Sequence, residues 1–134
     1  MNAKIITSGK RKESVAKALI FEGTGKIKIK EKDYSLLHMF DRLRIEEHIK
    51  IYEKILGKLN FDADISVRGG GEKSQVEAAR LALAKGMIKF SNSKELAKAF
   101  LSYDRNLLVA DVRRKEAYKP GDSKARRHRQ TSYR

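Results

Sequence analysis

Apolar and polar residues alternate along several stretches of the N-terminal half, and this pattern predicts strands of a β-sheet. Residues 26–30 read Lys-Ile-Lys-Ile-Lys, as in a strand with one basic face in water. Residues 61–67 alternate in the same way, and Lys4–Thr7 is a shorter run. Val15–Glu22 is largely apolar on both faces, which predicts a central strand covered on both sides. Because Gly23-Thr24-Gly25 follows it as a turn, we expect strands 15–22 and 26–30 to form a hairpin.

Apolar positions spaced three and four residues apart predict helices in other parts of the chain. The best-defined helix starts from Ser74, because Ser74 and Glu77 match a capping box, and an alanine face beside its apolar stripe suits close packing on a sheet. Asp33 is a candidate cap for a short helix, and Asp41 for a longer one that ends at Gly57.

Between residues 91 and 112 the sequence predicts one more helix, followed by a segment with two possible structures. Ser91-Asn92-Ser93 restarts the chain, and Leu96 and Phe100 indicate a short helix that packs on the body. Leu107–Ala110 is compatible with a last short strand or with an apolar strap. Together these elements predict one α/β (α+β) domain, residues 1–112, with a single modest core.

The remaining residues, 113–134, form a segment of different composition, which we call the tail. It has 9 Lys or Arg against 2 acidic residues, and it contains no Leu, Ile, Val, Phe or Met. Such a segment cannot build a core of its own, and a disordered solubilising tail is one interpretation. Its Arg-rich character and its interspersed Tyr and His favour contact with nucleic acid, because guanidinium groups fit phosphates and rings stack on bases.

The charge excess is not confined to the tail. The chain carries a formal +14, and residues 1–112 still hold 22 basic against 15 acidic residues. A polyanionic partner is therefore expected, and nucleic acid is favoured over a membrane surface because no apolar run approaches a membrane span. The N-terminus lacks a signal-peptide core and the chain has no Cys, which predicts a soluble cytoplasmic protein without disulfides or thiolate metal sites.

Two loops are candidates for phosphate contact. Ser8–Ser14 contains Lys10, Arg11 and Lys12 next to Gly9, and it is either a solvated surface loop or a phosphate clamp. Arg68-Gly69-Gly70-Gly71 precedes the start of the long helix, a position that favours an anion. It matches neither a Walker loop nor a dinucleotide fingerprint, so an RNA phosphate is favoured there over a nucleotide.

The sequence gives little support for a catalytic site or a metal site. The three His have no Cys or paired His at metal-ligand spacing and no recognisable nucleophile beside them, so satisfied or exposed histidines are expected. The carboxylates are scattered among cations, as in surface ion pairs. We expect no enzyme activity, no cofactor, no metal and no small-molecule substrate.

Four motifs in order resemble one known family. They are Ser8–Ala16, Gly23–Ile27, the glycine loop with Gln75 and Ala79–Ala82 behind it, and Asp111–Glu116 together with the ending Gln-Thr-Ser-Tyr-Arg. On these motifs, over nearly its whole length, the chain is similar to the family of ribosomal protein nine of the small subunit, in its archaeal and eukaryotic form.

The resemblance implies a fold and a place. The fold is a domain like the second domain of ribosomal protein five, with a mixed sheet, helices packed on one side, a left-handed βαβ crossover and an extended basic C-terminal tail. The place is the head of the small subunit, with small-subunit rRNA, other head proteins and the peptidyl-site tRNA as partners, and no membrane.

The resemblance also assigns contacts to individual residues. It implies that the tail threads through rRNA until its last residues touch the anticodon stem-loop of the tRNA. The residues expected to contact rRNA are Lys10, Arg11, Lys12, Arg68, Arg113, Arg114, Lys115, Lys119, Lys124, Arg126 and Arg127. Those expected to contact tRNA are Arg129, Tyr133 and Arg134.

Two other classes of protein stay open on the sequence alone. One is a small-molecule phosphate enzyme that uses the glycine loop, since the implied fold also occurs in some kinases. The other is a free-standing RNA chaperone or DNA-binding protein.

Overall fold

The computed structural model describes residues 4–113, and these form a five-stranded mixed sheet with three α-helices. The predicted mixed α/β fold is therefore confirmed. The strands are β1 (Ile5–Arg11), β2 (Ser14–Glu22), β3 (Ile27–Ile29), β4 (Lys32–Asp33) and β5 (Phe61–Arg68). The helices are α1 (Met39–Leu56), α2 (Glu72–Ser91) and α3 (Lys94–Tyr103), with short 3-10 turns at Tyr34–Leu36 and Arg105–Leu107.

The order of strands across the sheet is β1-β2-β5-β3-β4, so the expected hairpin between β2 and β3 is wrong. Strand β5 lies between them, antiparallel to β2 and parallel to β3. Asp62 at the start of β5 explains why β5, and not β3, lies next to β2. Its Oδ1 accepts the backbone N–H groups of Thr24, Gly25 and Lys26, in the turn after β2, at 2.9, 3.0 and 2.9 Å. These bonds, with the one from Lys26 first, lower the pKa of Asp62. The turn thus wraps over β5 instead of folding β3 back onto β2.

The helices cover one face of the sheet. Along β2, Ser14, Ala16, Ala18 and Ile20 are buried under α2, and the residues between them point to the other face. That second face carries no described helix, and Val15 is 38% exposed there. The expected cover on both sides of β2 is therefore wrong within residues 4–113, because apolar side chains on the outer face are left partly in water.

Helix α2 lies unusually close to β1 and β2. A Cβ on Gly9 would collide with the backbone oxygen of Ala78 and stand 2.7 Å from the backbone nitrogen of Ala82. The hydroxyl of Thr7 donates to the Ala82 carbonyl at 2.7 Å. Gly86 leaves room for the buried side chain of Ile20. The small residues of both elements therefore set the distance between helix and sheet, as the predicted alanine face implied.

The helix caps agree with the sequence in part. Asp33 caps the 3-10 turn through the Ser35 N–H at 3.0 Å, and Gly57 ends α1 with a φ of 85°, both as predicted. The cap expected at Asp41 is wrong, because α1 begins at Met39 and Asp41 lies in its first turn. Ser93 caps α3 through the Leu96 N–H at 3.2 Å.

The chain after α3 follows the second of the two predicted alternatives. Residues 105–107 form a 3-10 turn, Leu107 is buried, and 107–110 contain no strand. The segment is an apolar strap across the helices. It carries the chain to Asp111.

His48, on α1, is fully buried. Its Nδ1 is 3.3 Å from the Arg44 carbonyl and its ring packs at a tilt on Phe100, with centroids 5.6 Å apart. Burial first, and then the cation of Arg80, lower the pKa of His48 to about 3. The side chain is therefore neutral in the folded protein at neutral pH and donates Nδ1–H to the carbonyl.

We expect Gly9→Ala to lower the free energy of unfolding by about 1 to 3 kcal/mol, because the added methyl group must push α2 away from β1. Denaturant unfolding of the full chain measures it. Gly71→Ser is the control, since a Cβ at Gly71 meets nothing within 4 Å and Ser is a good N-cap. Equal stability of both variants and the parent would contradict this packing.

We expect stability to fall as the pH drops below about 6.5. The unfolded chain protonates His48 there, while the folded chain keeps it neutral down to its pKa of about 3. Between pH 7 and pH 5 the loss from this residue is about 2 kcal/mol. His48→Leu should remove that part of the pH dependence, whereas His38→Leu, at an exposed position, should retain it. Unfolding curves of the parent and of both variants, measured at pH 7, 6 and 5, test this expectation.

Candidate nucleic-acid interface

The β1–β2 hairpin presents the first cluster of cations. Lys10 pairs with Val15 and Arg11 with Ser14, so the strands continue to a two-residue turn at Lys12–Glu13. Lys12 adopts a positive φ of 53°. The loop predicted over Ser8–Ser14 is therefore mostly strand, and its cations stand at the tip of a regular hairpin.

The glycine loop lies against the same hairpin. Gly69 and Gly70 have φ values of 76° and 63°, which other residues rarely adopt. The hydroxyl of Ser14 on β2 lies 2.9 Å from the Gly69 carbonyl and 2.8 Å from the Ser74 hydroxyl. Gln75 Nε2 also donates to the Gly69 carbonyl at 2.9 Å. These contacts fix the loop to the end of β2.

The same contacts explain why the predicted start of α2 at Ser74 is wrong. The helix begins at Glu72 with Gly71 at the N-cap position, and Ser74 lies inside the first turn. Its hydroxyl accepts the Gly71 N–H at 3.1 Å. A local capping-box pattern could not anticipate the bond to Ser14, which is distant in sequence.

An open cleft of about 810 Å³ lies between the hairpin and the glycine loop, and we call it the cationic cleft. Four of its lining residues are basic and one, Glu13, is acidic. The basic residues are Lys10, Arg11, Lys12 and Arg113. Arg68 lies beside it, because Arg68 is the register partner of Val15, which lines the cleft. The structure thus brings together all five of the predicted rRNA contacts that fall in the described part of the chain.

The five cations differ in their partners. Within residues 4–113, Lys10, Lys12 and Arg68 form no ion pair and are exposed to solvent. Arg11 is only 20% exposed, and its guanidinium contacts Glu77 at 2.8 Å and also the carboxylate of Asp111. Arg11 therefore ties the hairpin to α2 and to the end of the body.

Asp111 is the shared partner at the root of the tail. Arg113 donates through Nε and Nη2 to its carboxylate oxygens at 2.8 to 3.1 Å, and the backbone N–H of Arg113 donates at 2.9 Å. Hydrogen bonds from Arg113 and Arg11 hold the pKa of Asp111 below its ordinary value. The Arg113 side chain stays 80% exposed. Sequence reasoning missed the role of Asp111 and Glu77, since nothing local relates them to Arg11.

The geometry suits phosphate binding and offers little else. Unpaired ammonium and guanidinium groups at an open cleft attract phosphates by charge and by hydrogen bonds. The carboxylate of Glu72, in the first turn of α2, lines two other grooves and not this cleft. Within residues 4–113, no group of His, Asp or Glu side chains is placed to share a metal ion. The described helices are too short or too polar to cross a membrane.

The other predicted contacts belong to the tail and lie outside the described residues. They are Arg114, Lys115, Lys119, Lys124, Arg126, Arg127, Arg129, Tyr133 and Arg134. Their roles remain predictions.

Comparisons with known proteins agree with the features above. A family model described as ribosomal protein S9/S16 matches residues 9–134. The small ribosomal subunit protein uS9 of Methanococcus vannielii is 44% identical over 131 residues, which is 96% of each chain. The protein of the same name from Thermoplasma volcanium is 42% identical over 132 residues, covering 97% of this chain and 98% of the relative.

These matches include both the cleft residues and the tail, and they extend over almost the entire sequence. The resemblance found from the motifs is confirmed, and so is the expectation that the protein is not an enzyme. The chain belongs to the ribosomal protein S9/S16 family, as a structural ribosomal protein.

Proposed function

We propose that this protein is a constituent of the small ribosomal subunit, where its body binds rRNA in the head and its tail extends toward the peptidyl-site tRNA. The observation that carries the proposal is the cationic cleft, with Lys10, Lys12 and Arg68 free of ion pairs within residues 4–113. The names of the relatives, small ribosomal subunit proteins, support it.

The body is the anchor in this proposal. Lys10, Lys12, Arg68 and Arg113 bind rRNA phosphates at the cleft, and each contact displaces condensed counterions. Arg11 is already held by Glu77 and Asp111, so it acts chiefly by keeping the hairpin, α2 and the root of the tail in one arrangement. Phosphate contacts of this kind position a protein on RNA without reading bases.

The tail makes the remaining contacts. Arg114, Lys115, Lys119, Lys124, Arg126 and Arg127 bind rRNA along its path, and Arg129, Tyr133 and Arg134 bind the anticodon stem-loop. A fully extended segment of 22 residues reaches at most about 70 Å, enough to pass from a docked body to a distant groove. Contacts to the phosphate groups of tRNA also suit a site that must accept every tRNA, because they do not read the bases. A free-standing nucleic-acid binder is the competing proposal, and it would not stay with ribosomal subunits when a lysate is sedimented first in low and then in high salt.

We expect Lys10→Gln combined with Lys12→Gln to weaken binding of the full chain to purified small-subunit rRNA. Loss of two phosphate contacts should reduce the slope of log affinity against log salt by about 1.4 to 1.8. The control is Lys50→Gln combined with Lys58→Gln, which removes the same charge from exposed positions outside the cleft. If both double variants change the slope equally, the cleft is not the rRNA site.

We expect deletion of residues 126–134 to leave the body as stable as before and to weaken tRNA binding at the peptidyl site. The deleted residues lack large aliphatic side chains and so cannot contribute to the hydrophobic core, which the deletion therefore leaves unchanged. Filter binding of tRNA to small subunits that contain the deletion measures the effect, and thermal unfolding checks the body. A full-length chain with Arg126, Arg127 and Arg129 changed to Gln tests charge apart from length. Unchanged tRNA affinity in both variants refutes the role of the tail.

A further inference from the structure

Large apolar side chains lie in water around the start of α1, and none of them lines the cationic cleft. Leu36, Met39, Phe40 and Leu43 are 73%, 55%, 63% and 42% exposed. Isolated exposed hydrophobic residues are ordinary, but here four lie within eight residues of sequence, and patches of exposed apolar residues mark interaction sites. We call these four residues the α1 patch.

Two of the four residues line one groove. Phe40 and Leu43 are three residues apart in α1 and so lie on the same helical face. With His38 and Asp41 they line an open groove of about 760 Å³ that reaches across to Glu72 and Lys73 at the start of α2. The His38 ring stacks on Phe40 with centroids 6.0 Å apart. Leu36 lines a neighbouring groove that shares His38 and Asp41.

The charge of this groove has the opposite sign to that of the cationic cleft. Asp41, Glu47 and Glu72 face Arg44 and Lys73 in the groove around Phe40. Arg44 is paired with Glu77 and Glu47 with Arg80, at 3.3 and 3.1 Å. Within residues 4–113, Asp41, Glu72 and Lys73 form no ion pair, so two unpaired carboxylates stand against one unpaired ammonium group in this groove. Unpaired carboxylates repel phosphates, so RNA is a poor occupant of a groove whose walls are also apolar.

The tail of this chain is a poor occupant as well. It carries the right charge, but it has no Leu, Ile, Val, Phe or Met with which to fill an apolar groove. A matching ligand needs large apolar side chains for the centre and a cation for the acidic rim, as in ordinary protein interfaces.

We propose that the α1 patch is a protein-docking site, occupied in the small subunit by a segment of another protein that presents large apolar side chains flanked by Lys or Arg. The inference rests on the proposed function, because the subunit brings that neighbour into place. Phe40 enters the apolar part of the neighbour, and Asp41 and Glu72 contact its cations.

The first test places the photocrosslinker p-benzoylphenylalanine at Phe40 in the full chain and isolates small subunits from cells. The expected product is a crosslink that protease removes and nuclease does not, to a peptide of another protein with apolar residues and Lys or Arg. The same crosslinker at Ile6, which is 68% exposed on the helix-free face, should not yield that peptide. A crosslink to RNA, to an acidic peptide or to a second copy of this chain, or no crosslink at all, overturns the proposal.

The second test changes the charge of the rim. Asp41→Lys combined with Glu72→Lys should lower the yield of that crosslink about tenfold, as a loss of about 1.4 kcal/mol in affinity would. Glu53→Lys combined with Glu95→Lys is the matched control, because both are exposed acids that lie outside the groove. An unchanged or higher yield of that peptide crosslink overturns the proposal, and so does the appearance of a nuclease-sensitive crosslink, which RNA as the occupant would give.

The two proposals fail in different ways. If the chain with either crosslinker does not sediment with small subunits, the proposed function fails and this inference fails with it. If the chain sediments with subunits but position 40 gives no protein crosslink, only the docking site fails.

Discussion

The close contact between α2 and the β1–β2 hairpin is the constraint on which the rest of the structure depends. It requires Gly9 on the strand, small residues on the helix, and the hydrogen bond from Thr7 to Ala82. With the helix held there, its N-terminal turn lies beside the tip of the hairpin, and the glycine loop has to close against β2. The cationic cleft is the space left between these two elements. Glu77, one turn further along α2, reaches Arg11 and through it the end of the body.

The molecule separates its charges by location. At the hairpin tip the exposed cations are unpaired within the described part of the chain, while Arg11 is used internally. In the groove at the start of α1, the carboxylates of Asp41 and Glu72 outnumber Lys73, the one cation there without an ion pair within residues 4–113, and the groove also has an apolar part. A polyanion and a protein with basic side chains are attracted to different places on such a surface, which lets one small body have two kinds of neighbour at once.

Much of the fold could be predicted from sequence, because strand alternation, helical spacing, the cap at Asp33 and the helix end at Gly57 are local signals. The strand order could not, since it depends on Asp62 binding a turn that lies far away in the chain. The start of α2 was misplaced for a similar reason, as Ser74 bonds to Ser14. Among the candidate site residues, the exposed cations followed from charge and spacing. Arg11 looked the same as its neighbours, because only the folded chain brings Asp111 to it.

The placement of β5 in the sheet has a consequence for how the chain is made. Strand β2 pairs with β1 on one edge and with β5 on the other, but β5 is synthesised after β3, β4 and α1. During that interval the hairpin has an open edge whose side chains are largely apolar, and such edges pair readily with other nascent chains. Lys17 lies in the middle of this edge strand, and the excess of basic residues repels neighbouring copies of the chain. Positive charge on the unfinished chain therefore opposes the edge-to-edge pairing of two copies that an unpaired strand otherwise favours.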